Sequence, residues 1–523
     1  MVSLLNLLQA QYERGISDYW LPPLVKAKVE DKGLHGRVQD GDCMIFACRR
    51  GEREIQLMEA FVLPHFAFFE RRYLPNLRFF PMVEYHPKFA DYPPLFASTK
   101  LESTLGEVLA SYRLKQLRIA ESEKFLHVTY FFNGRRHEHF PGEERLVIPS
   151  IQQDQHLHPE MRSLELAEAL INRLRQHRYS FVLLNFAAGD IFGHIPDFSA
   201  QIKCVEFIDK AVGRIADYAA VNNYYLILTA DHGLLEQAYL PNGSVNVQHT
   251  TALVPFLVVE PAGKKPVALR EWGSLADVAP SVIHLLGLAK PTVMTGYSLI
   301  VSEQTRAEGV IMIILDGWGV GPKDMQVNPI YAANTQHLER LFAQFPQTKL
   351  HASGEHVGLR AGSSGNSECG HLTLGAGRVI VQDEVRIPQE LTAEKMQKNL
   401  AFYQAIRSLE PEQAVHLLFL LSPQSSHGSI DEALALVKIL KQWDVNRIYL
   451  HCITDGRSAP MYGAIKLLPQ LQNELESIGA GEIVTVCGRG YVLDRSGQYV
   501  ERTKVAYEAL VDGQGIIWDL FSE

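Results

Sequence analysis

VIMIIL, residues 310–315, is six apolar residues without a polar interruption, and Asp316 follows at once. So short and apolar a run, rich in isoleucine and valine, reads as a strand buried on both faces, as in a parallel sheet. Five further runs share its character: SFVLLNF (180–186), YYLILTA (224–230), VHLLFLL (415–421), IYLHCIT (448–454) and EIVTVC (482–487). Between them lie segments of helical periodicity, among them LELAEALINRLRQ (164–176), IKCVEFIDKAVGRIADYAA (202–220) and DEALALVKILKQW (431–443). This alternation predicts an α/β fold with largely parallel sheets flanked by helices. A chain of 523 residues exceeds one ordinary core, so two or more domains are expected. IVSEQTRAEG (300–309) is the best linker candidate.

The net charge of −9 argues against a nucleic-acid binder, and no apolar run approaches membrane-spanning length. The N-terminal MVSLLNLLQAQYERG has no basic leader, so no signal peptide is expected. The six cysteines are scattered without a CxxC pair and read as reduced core residues of a cytoplasmic protein.

In open α/β sheets ligands bind beyond the carboxyl ends of the strands. Asp316 follows Leu315; Asp190 and His194 follow Phe186; Asp231 and His232 follow Ala230, with His249 nearby in VQHTT. Asp and His side chains gathered there suit divalent cations such as zinc or manganese. Asp190 and His194 are spaced i, i+4 and face the same way on a helical turn. Taken singly, each acid reads as a cap and each histidine as a satisfied polar residue. Their clustering at successive strand ends favours a metal site. Other strand ends deliver arginines: Arg50 and Arg53 in MIFACRRGER, Arg457 in ITDGR, Arg489 and Arg495 in VCGRGYVLDR. One sheet is thus expected to end in metal ligands and the other in anion ligands.

GSSGNSECGHLTLGAGR (362–378) offers three serines. A serine hydroxyl needs a base or a cation to become a nucleophile at neutral pH. Ser363 and Ser364 read as turn residues. Ser367 reads equally well as a helix N-cap or as a nucleophile. His371 reads as a residue supporting Ser367 or simply as a buried one, and Gly375 and Gly377 as turn glycines. The His137/His139 and His156/His158 pairs read as solvated loop histidines.

IMIILDGWG, GNSECGHLTLGAGRVIVQD, TADHG, QHTTALVPF, LADVAPSVIHLLGL and MTGYSLI closely resemble the cofactor-independent (2,3-bisphosphoglycerate-independent) phosphoglycerate mutases of the alkaline phosphatase superfamily. GEVLASYRLKQLRIAESEKFLHVTYFFNG and FPGEERLVIPS do so as well. The resemblance covers nearly the whole chain but in an exchanged order: the MTGYSLI region here precedes ILDGWG, whereas the family begins with ILDGWG. It therefore implies a circular permutation, which exposed breaks and neighbouring termini tolerate. It implies two domains, an alkaline-phosphatase-like metal domain at 85–385 and a smaller substrate-binding domain built from 1–84 and 386–523, with hinges near 77–88 and 380–392.

Matched by motif, Ser367 is implied to be the nucleophile that becomes phosphoserine. Asp316, Ser367, Asp231 and His232 would hold one manganese ion, and Asp190, His194 and His249 the other. Lys124 would contact the phosphoryl group. Arg50, Arg53, Arg457, Arg489, Arg495 and His427 would hold the substrate. The implied activity is interconversion of 3- and 2-phosphoglycerate in glycolysis and gluconeogenesis, by a cytoplasmic monomer acting on a small anionic substrate and neither nucleic acid nor membrane.

The sequence departs from the family at four places. DGRD reads DGRS, so Ser458 replaces an aspartate that handles the glycerate hydroxyls. LLSDGGVHSH reads LLSPQSSHGS, keeping His427 but exchanging Pro423, Gln424, Ser425 and Ser429 into the loop. GRYY reads GRGY, with Gly490, and TADHGN reads TADHGL, with Leu234. These changes leave two alternatives: a metal-dependent phosphatase or mutase of a related phospho-acid, and a non-catalytic metabolite-binding relative.

Overall fold

The computed structural model describes residues 3–27, 35–97, 101–151, 153–303 and 306–519. Its strands, in chain order, are β1 (Leu24–Ala27), β2 (Cys43–Ala47), β3 (Arg78–Pro81), β4 (Gln116–Glu121), β5 (Glu143–Ile148), β6 (Phe181–Phe186), β7 (Tyr224–Thr229), β8 (Val254–Val259), β9 (Trp272–Ser274), β10 (Gly309–Leu315), β11 (Gln347–His351), β12 (Val415–Leu421), β13 (Ile448–Thr454), β14 (Glu482–Gly488) and β15 (Ile516–Asp519). They form two sheets, ordered β15-β1-β14-β13-β12-β2-β3 and β5-β4-β6-β10-β7-β8-β11-β9.

All six apolar runs are strands. β6, β7, β10, β12 and β13 are buried at every position of both ordinary faces apart from Tyr449, as expected for strands covered by helices on two sides. β10 pairs in parallel with β6 and with β7, Leu315 lying opposite Phe186 and Ile314 opposite Thr229. The carboxyl ends of these three central strands therefore share one edge. In the other sheet β2, β12, β13 and β14 are parallel neighbours, so their ends share an edge too. Among the strands described, β7-β8, β8-β11 and β1-β14 pair antiparallel. The flanking helices include Ser163–Gln176, Phe198–Val221 and Ile430–Gln442, which contain the three periodic segments.

The chain divides into two compact units, Lys100–Val385 and Met1–Thr99 with Arg386–Glu523, each with its own apolar core. Residues 85–97, expected with the metal ligands, belong instead to the unit made from the two chain ends; residues 98 and 99 of the expected segment lie outside the described residues. The cause is tertiary: Tyr85 Oη lies 2.7 Å from the carbonyl oxygens of both Phe46 and Cys48 at the end of β2. Within 77–88, Arg78–Pro81 is β3 of the seven-stranded sheet, paired with β2. The linker candidate 300–309 lies inside the Lys100–Val385 unit and runs into β10; Gln304 and Thr305 fall outside the described residues. Gly375 is helical rather than a turn residue: the helix runs Ser367–Ala376, and Gly377, at φ +62°, terminates it.

Candidate functional site

In the Lys100–Val385 unit, the end of β10 presents Asp316, the residues after β7 present Asp231 and His232, and the short helix Ala188–Gly193 after β6 presents Asp190 and His194. The helix Ser367–Ala376 packs over this edge. Gly370 permits the approach, since a Cβ there would stand 2.6 Å from Asp231 O. Asn366, not Ser367, caps this helix, its side chain accepting from Cys369 N at 3.0 Å. Ser367 is the first helical residue, and its hydroxyl is turned to other partners.

Those partners are ionic. Lys124 Nζ donates to Ser367 Oγ at 2.7 Å, to Asp190 Oδ2 at 2.7 Å and to Asp316 Oδ1 at 2.8 Å. Ser367 Oγ donates to Asp316 Oδ1 at 3.2 Å and lies 2.9 Å from His232 Nε2. All five groups are buried. Burial alone would push Lys124 down and the acids up. Instead Asp316 and Asp190 hold the ammonium well above its ordinary value, and Lys124 holds both carboxyls well below theirs. The lysine thus offsets part of a dense negative charge.

The rest of that charge, and an unused set of lone pairs, fits a cation. His194 Nδ1 lies 2.8 Å from Val247 O and His249 Nδ1 2.9 Å from Gly365 O. A carbonyl only accepts, so both Nδ1 atoms carry the proton and, in the neutral rings, both Nε2 atoms carry lone pairs. Those two Nε2 atoms stand 3.2 Å apart, and 3.4 and 3.2 Å from Asp190 Oδ1. Asp190 Oδ1 is buried without a well-directed donor, and so is Asp231 Oδ2. Converging donors of this kind repel one another unless a cation lies among them, and imidazole with carboxylate suits a divalent ion. Ligand atoms of Asp190, His232 and His249 lie within 4.8 Å of one another, as do those of Asp231, Asp316 and His371.

The second group includes His371, which was not among the expected ligands. Its nitrogens are already used: Nδ1 lies 2.9 Å from Ser367 O and 3.2 Å from Asp231 Oδ2, and Nε2 lies 3.1 Å from Asn185 Nδ2. Asn185 Nδ2 also donates to Asp316 Oδ2 at 2.7 Å. Asn185 and His371 therefore hold Asp316, Asp231 and the Ser367 backbone in place. Asn185 is a residue the sequence reading passed over; its signal is one amide inside the otherwise apolar run SFVLLNF. A cavity of about 370 Å³ opens beside His249, lined among others by Asn246, Val247, Gln248 and Thr250. Leu234, one of the four departures, is buried against Gly193. His137, His139 and His156 are exposed, and His158 pairs with Glu160 at 3.1 Å.

The unit made of the chain ends carries the arginines. Arg50 precedes the helix Gly51–Val62, which bears Arg53 and Glu54. Arg457 and Ser458 follow β13 and are exposed. Arg489 follows β14 and is buried in an ion pair with Asp455. Arg495 pairs with Glu52 at 3.1 Å. They lie close enough to act on one another: burial lowers Arg53, and Arg495, Arg489 and Arg457 lower it further. Burial, then Arg489, Arg50 and Arg53, pull His427 down to about 3. So dense a set of cations suits an anion with several oxygens, which guanidinium forks bind bidentately.

The altered loop is pinned. Arg49 NH1 pairs with Glu432 at 2.9 Å, both buried, while its NH2 donates to Ser425 O and its backbone N to His427 O at 2.8 Å. Ser429 caps the helix Ile430–Gln442, and Glu432 completes the capping box. Gly490 is explained by packing: a Cβ there would meet the Trp20 ring at 2.5 Å.

Residues 8–290 match a family described as the metalloenzyme superfamily, and residues 387–519 match the N-terminal domain of 2,3-bisphosphoglycerate-independent phosphoglycerate mutases. Similar proteins include such a mutase from Pseudomonas fluorescens strain Pf-5, 41% identical over 296 residues, which is 56% of each chain. Another, from Ectopseudomonas mendocina, is 40% identical over 298 residues, 57% of this chain and 56% of that one. A solved phosphoglycerate mutase of Leishmania mexicana, at low cobalt concentration, aligns with a TM-score of 0.43 and 32% identity over 51% of this chain and 52% of that one. The chain thus spans about half the length of the curated relatives it matches. With a match that runs through more than half of its residues, the chain belongs to the metalloenzyme superfamily.

Proposed function

We propose that the protein is a 2,3-bisphosphoglycerate-independent phosphoglycerate mutase that interconverts 3- and 2-phosphoglycerate through phosphoserine at position 367. The observation that carries this reading is the Ser367 hydroxyl, held within 3.2 Å of Lys124, His232 and Asp316 beside converging Asp and His lone pairs. Curated relatives about 40% identical bear that enzyme name.

Asp316, Ser367, Asp231 and His232 would hold one divalent ion, and Asp190, His194 and His249 another, manganese being the ion we assign. Bound there, the ions would lower the effective pKa of the serine hydroxyl and offset phosphoryl charge. The remaining work falls to the chain itself. Ser367 Oγ attacks phosphorus, and the Lys124 ammonium, already on that oxygen, stabilises charge on the transferring group. Arg50, Arg53, Arg457, Arg489 and Arg495 hold the carboxylate and phosphate oxygens, with His427 among them. The glycerate then takes the phosphoryl group back on its other hydroxyl, and exclusion of water keeps the enzyme from acting as a phosphatase.

We also propose that the chain is circularly permuted. A domain described as the N-terminus of these enzymes matches residues 387–519, after the metalloenzyme match at 8–290. We assign the protein to the cytoplasm, which accords with six buried free thiols, as a monomer acting in glycolysis and gluconeogenesis. Among the described residues no helix is long and apolar enough to cross a membrane.

Incubation of the purified protein with 3-phosphoglycerate and manganese, without bisphosphoglycerate, tests the reading: 2-phosphoglycerate should form. The second reading, a phosphatase or a mutase of a related phospho-acid, is favoured by Ser458 in place of a carboxylate. Release of inorganic phosphate alone would support it.

A further inference from the structure

Glu54 is a carboxylic acid with no exposed surface, placed within the arginine cluster. Its Oε2 accepts from Arg53 N at 3.1 Å, and its Oε1 lies 3.3 Å from His427 Nδ1. With Nδ1 so occupied, His427 Nε2 is the ring atom that can reach a ligand. The same cluster contains Ser458. Ser425 Oγ donates to Ser458 Oγ at 3.3 Å and accepts from His427 N at 3.3 Å. The backbone of His427, whose ring pairs with Glu54, is therefore linked through one hydroxyl to Ser458, the position where the resembled family carries its aspartate.

We propose that Glu54 and His427 share one exchangeable proton and pass it to and from the glycerate hydroxyls, work that Ser458 cannot do. This rests on the mutase reading. A serine hydroxyl cannot act as a base near neutrality, whereas an imidazole oriented by a carboxyl can. Burial raises Glu54 to about 8, and burial with Arg489, Arg50 and Arg53 lowers His427, against the opposing charge of Glu52. Cys48 and Tyr85, themselves raised by burial, stand near Glu54 and carry no charge. Near neutrality the pair is then uncharged overall: one proton lies between Oε1 and Nδ1, and another sits on Nε2.

The proton count closes over the cycle. In the first transfer Ser367 Oγ passes its proton to Asp316 Oδ1, to which it already donates, and bonds phosphorus; the bond between phosphorus and the glycerate oxygen breaks, its electron pair stays on that oxygen, and the oxygen takes the Nε2 proton. The bridging proton shifts to Nδ1, leaving a Glu54 carboxylate. In the second transfer the other hydroxyl gives its proton to Nε2 as its oxygen bonds phosphorus. The bond from phosphorus to Ser367 Oγ breaks, its electron pair returns to Oγ, which takes its proton back from Asp316, and the Nδ1 proton returns to the bridge with Glu54 Oε1. His427 is the catalytic residue of this pair, and Glu54 is the positioning residue that shares its proton.

The test compares wild type with Glu54→Gln, a swap that keeps shape and removes the exchangeable proton. Turnover of 3-phosphoglycerate to 2-phosphoglycerate is followed from about pH 6 to about pH 9. The variant is expected to lose roughly 100-fold in kcat with KM changed by less than about threefold, and to lose any limb of the kcat profile near pH 8. Adding Ser458→Asp to Glu54→Gln is expected to return at least about tenfold in kcat. A purely structural role for Glu54 would move neither the limb nor the rescue. Active wild type with an unchanged Glu54→Gln variant overturns the pair and leaves the mutase reading standing. Wild type that forms no 2-phosphoglycerate overturns both. If the variant does not fold, ¹⁵N shifts of His427 in the wild type decide: a coupled titration of both ring nitrogens near pH 8 supports the pair, and invariance across that range overturns it.

Discussion

The two units solve the same architectural problem with opposite charges. Each places polar residues beyond the shared carboxyl edge of parallel central strands: β6, β10 and β7 in one, β2, β12, β13 and β14 in the other. In Lys100–Val385 the delivered groups are carboxylates and imidazoles, offset by one lysine and held by Asn185 and His371. In the chain-end unit they are guanidinium groups, several already paired, as Arg489 is with Asp455, Arg49 with Glu432 and Arg495 with Glu52. Three of the four departures from the family pattern, at Pro423–Ser429, Ser458 and Gly490, fall in the arginine unit. On the proposed function, phosphoryl chemistry would leave little freedom where nucleophile and cations meet, and binding of the acid could be rearranged provided charge and proton balance are kept.

The comparison breaks first at Ser367. Ser367→Ala should lower mutase turnover by about 10⁴-fold or more while leaving 3-phosphoglycerate binding detectable by calorimetry. A variant retaining a tenth of wild-type turnover would remove the metal unit's claim to the chemistry.

The next largest effect is on the arginine unit's stability. Glu54 moves from an ordinary 4.5 to about 8 on folding, so the folded state binds the extra proton between those values. Folded His427, lowered to about 3, lacks a proton that the unfolded chain holds up to about 6.5, so the two shifts offset each other below that value; stability therefore falls as pH rises from about 6.5 to about 8, by at most about 1.4 kcal/mol per unit and about 2 kcal/mol in all, then levels. Urea unfolding across that range should show the decline in wild type, and Glu54→Gln should flatten it.

On the metal side, Asn185→Ala should weaken divalent-cation binding by roughly 10–100-fold, read by competition with a chromophoric chelator. Removing the cation should also lower the melting temperature, since a ligand at about 100 times its Kd contributes about 2.7 kcal/mol. Arg53→Ala should raise KM by about tenfold with a smaller change in kcat. The smallest effect is expected from Ser458→Asp alone, less than about threefold in kcat, because Glu54 and His427 already carry the proton.

Much of the fold was legible because short runs rich in isoleucine and valine, such as VIMIIL, favour buried parallel strands, and because residues following adjacent parallel strand ends share an edge. The Asp and His positions are local to those ends and could be read with them. Two things were not. Whether Ser367 capped its helix or faced the acids depended on Asn366 taking the cap, a choice of one residue that spacing does not decide. Glu54 was hidden because the ring it pairs with, His427, lies far away in sequence. Residues 85–97 fall in the other unit for the same reason, since the Tyr85 contacts with Phe46 and Cys48 are tertiary and leave no local pattern.

The central claim is a covalent one and can be read directly. Protein with manganese is mixed with 3-phosphoglycerate, quenched in acid within a turnover, digested and examined by mass spectrometry. The account predicts one phosphate on Ser367 that vanishes as 2-phosphoglycerate accumulates; product formation with Ser367 unmodified at every quench time would contradict it.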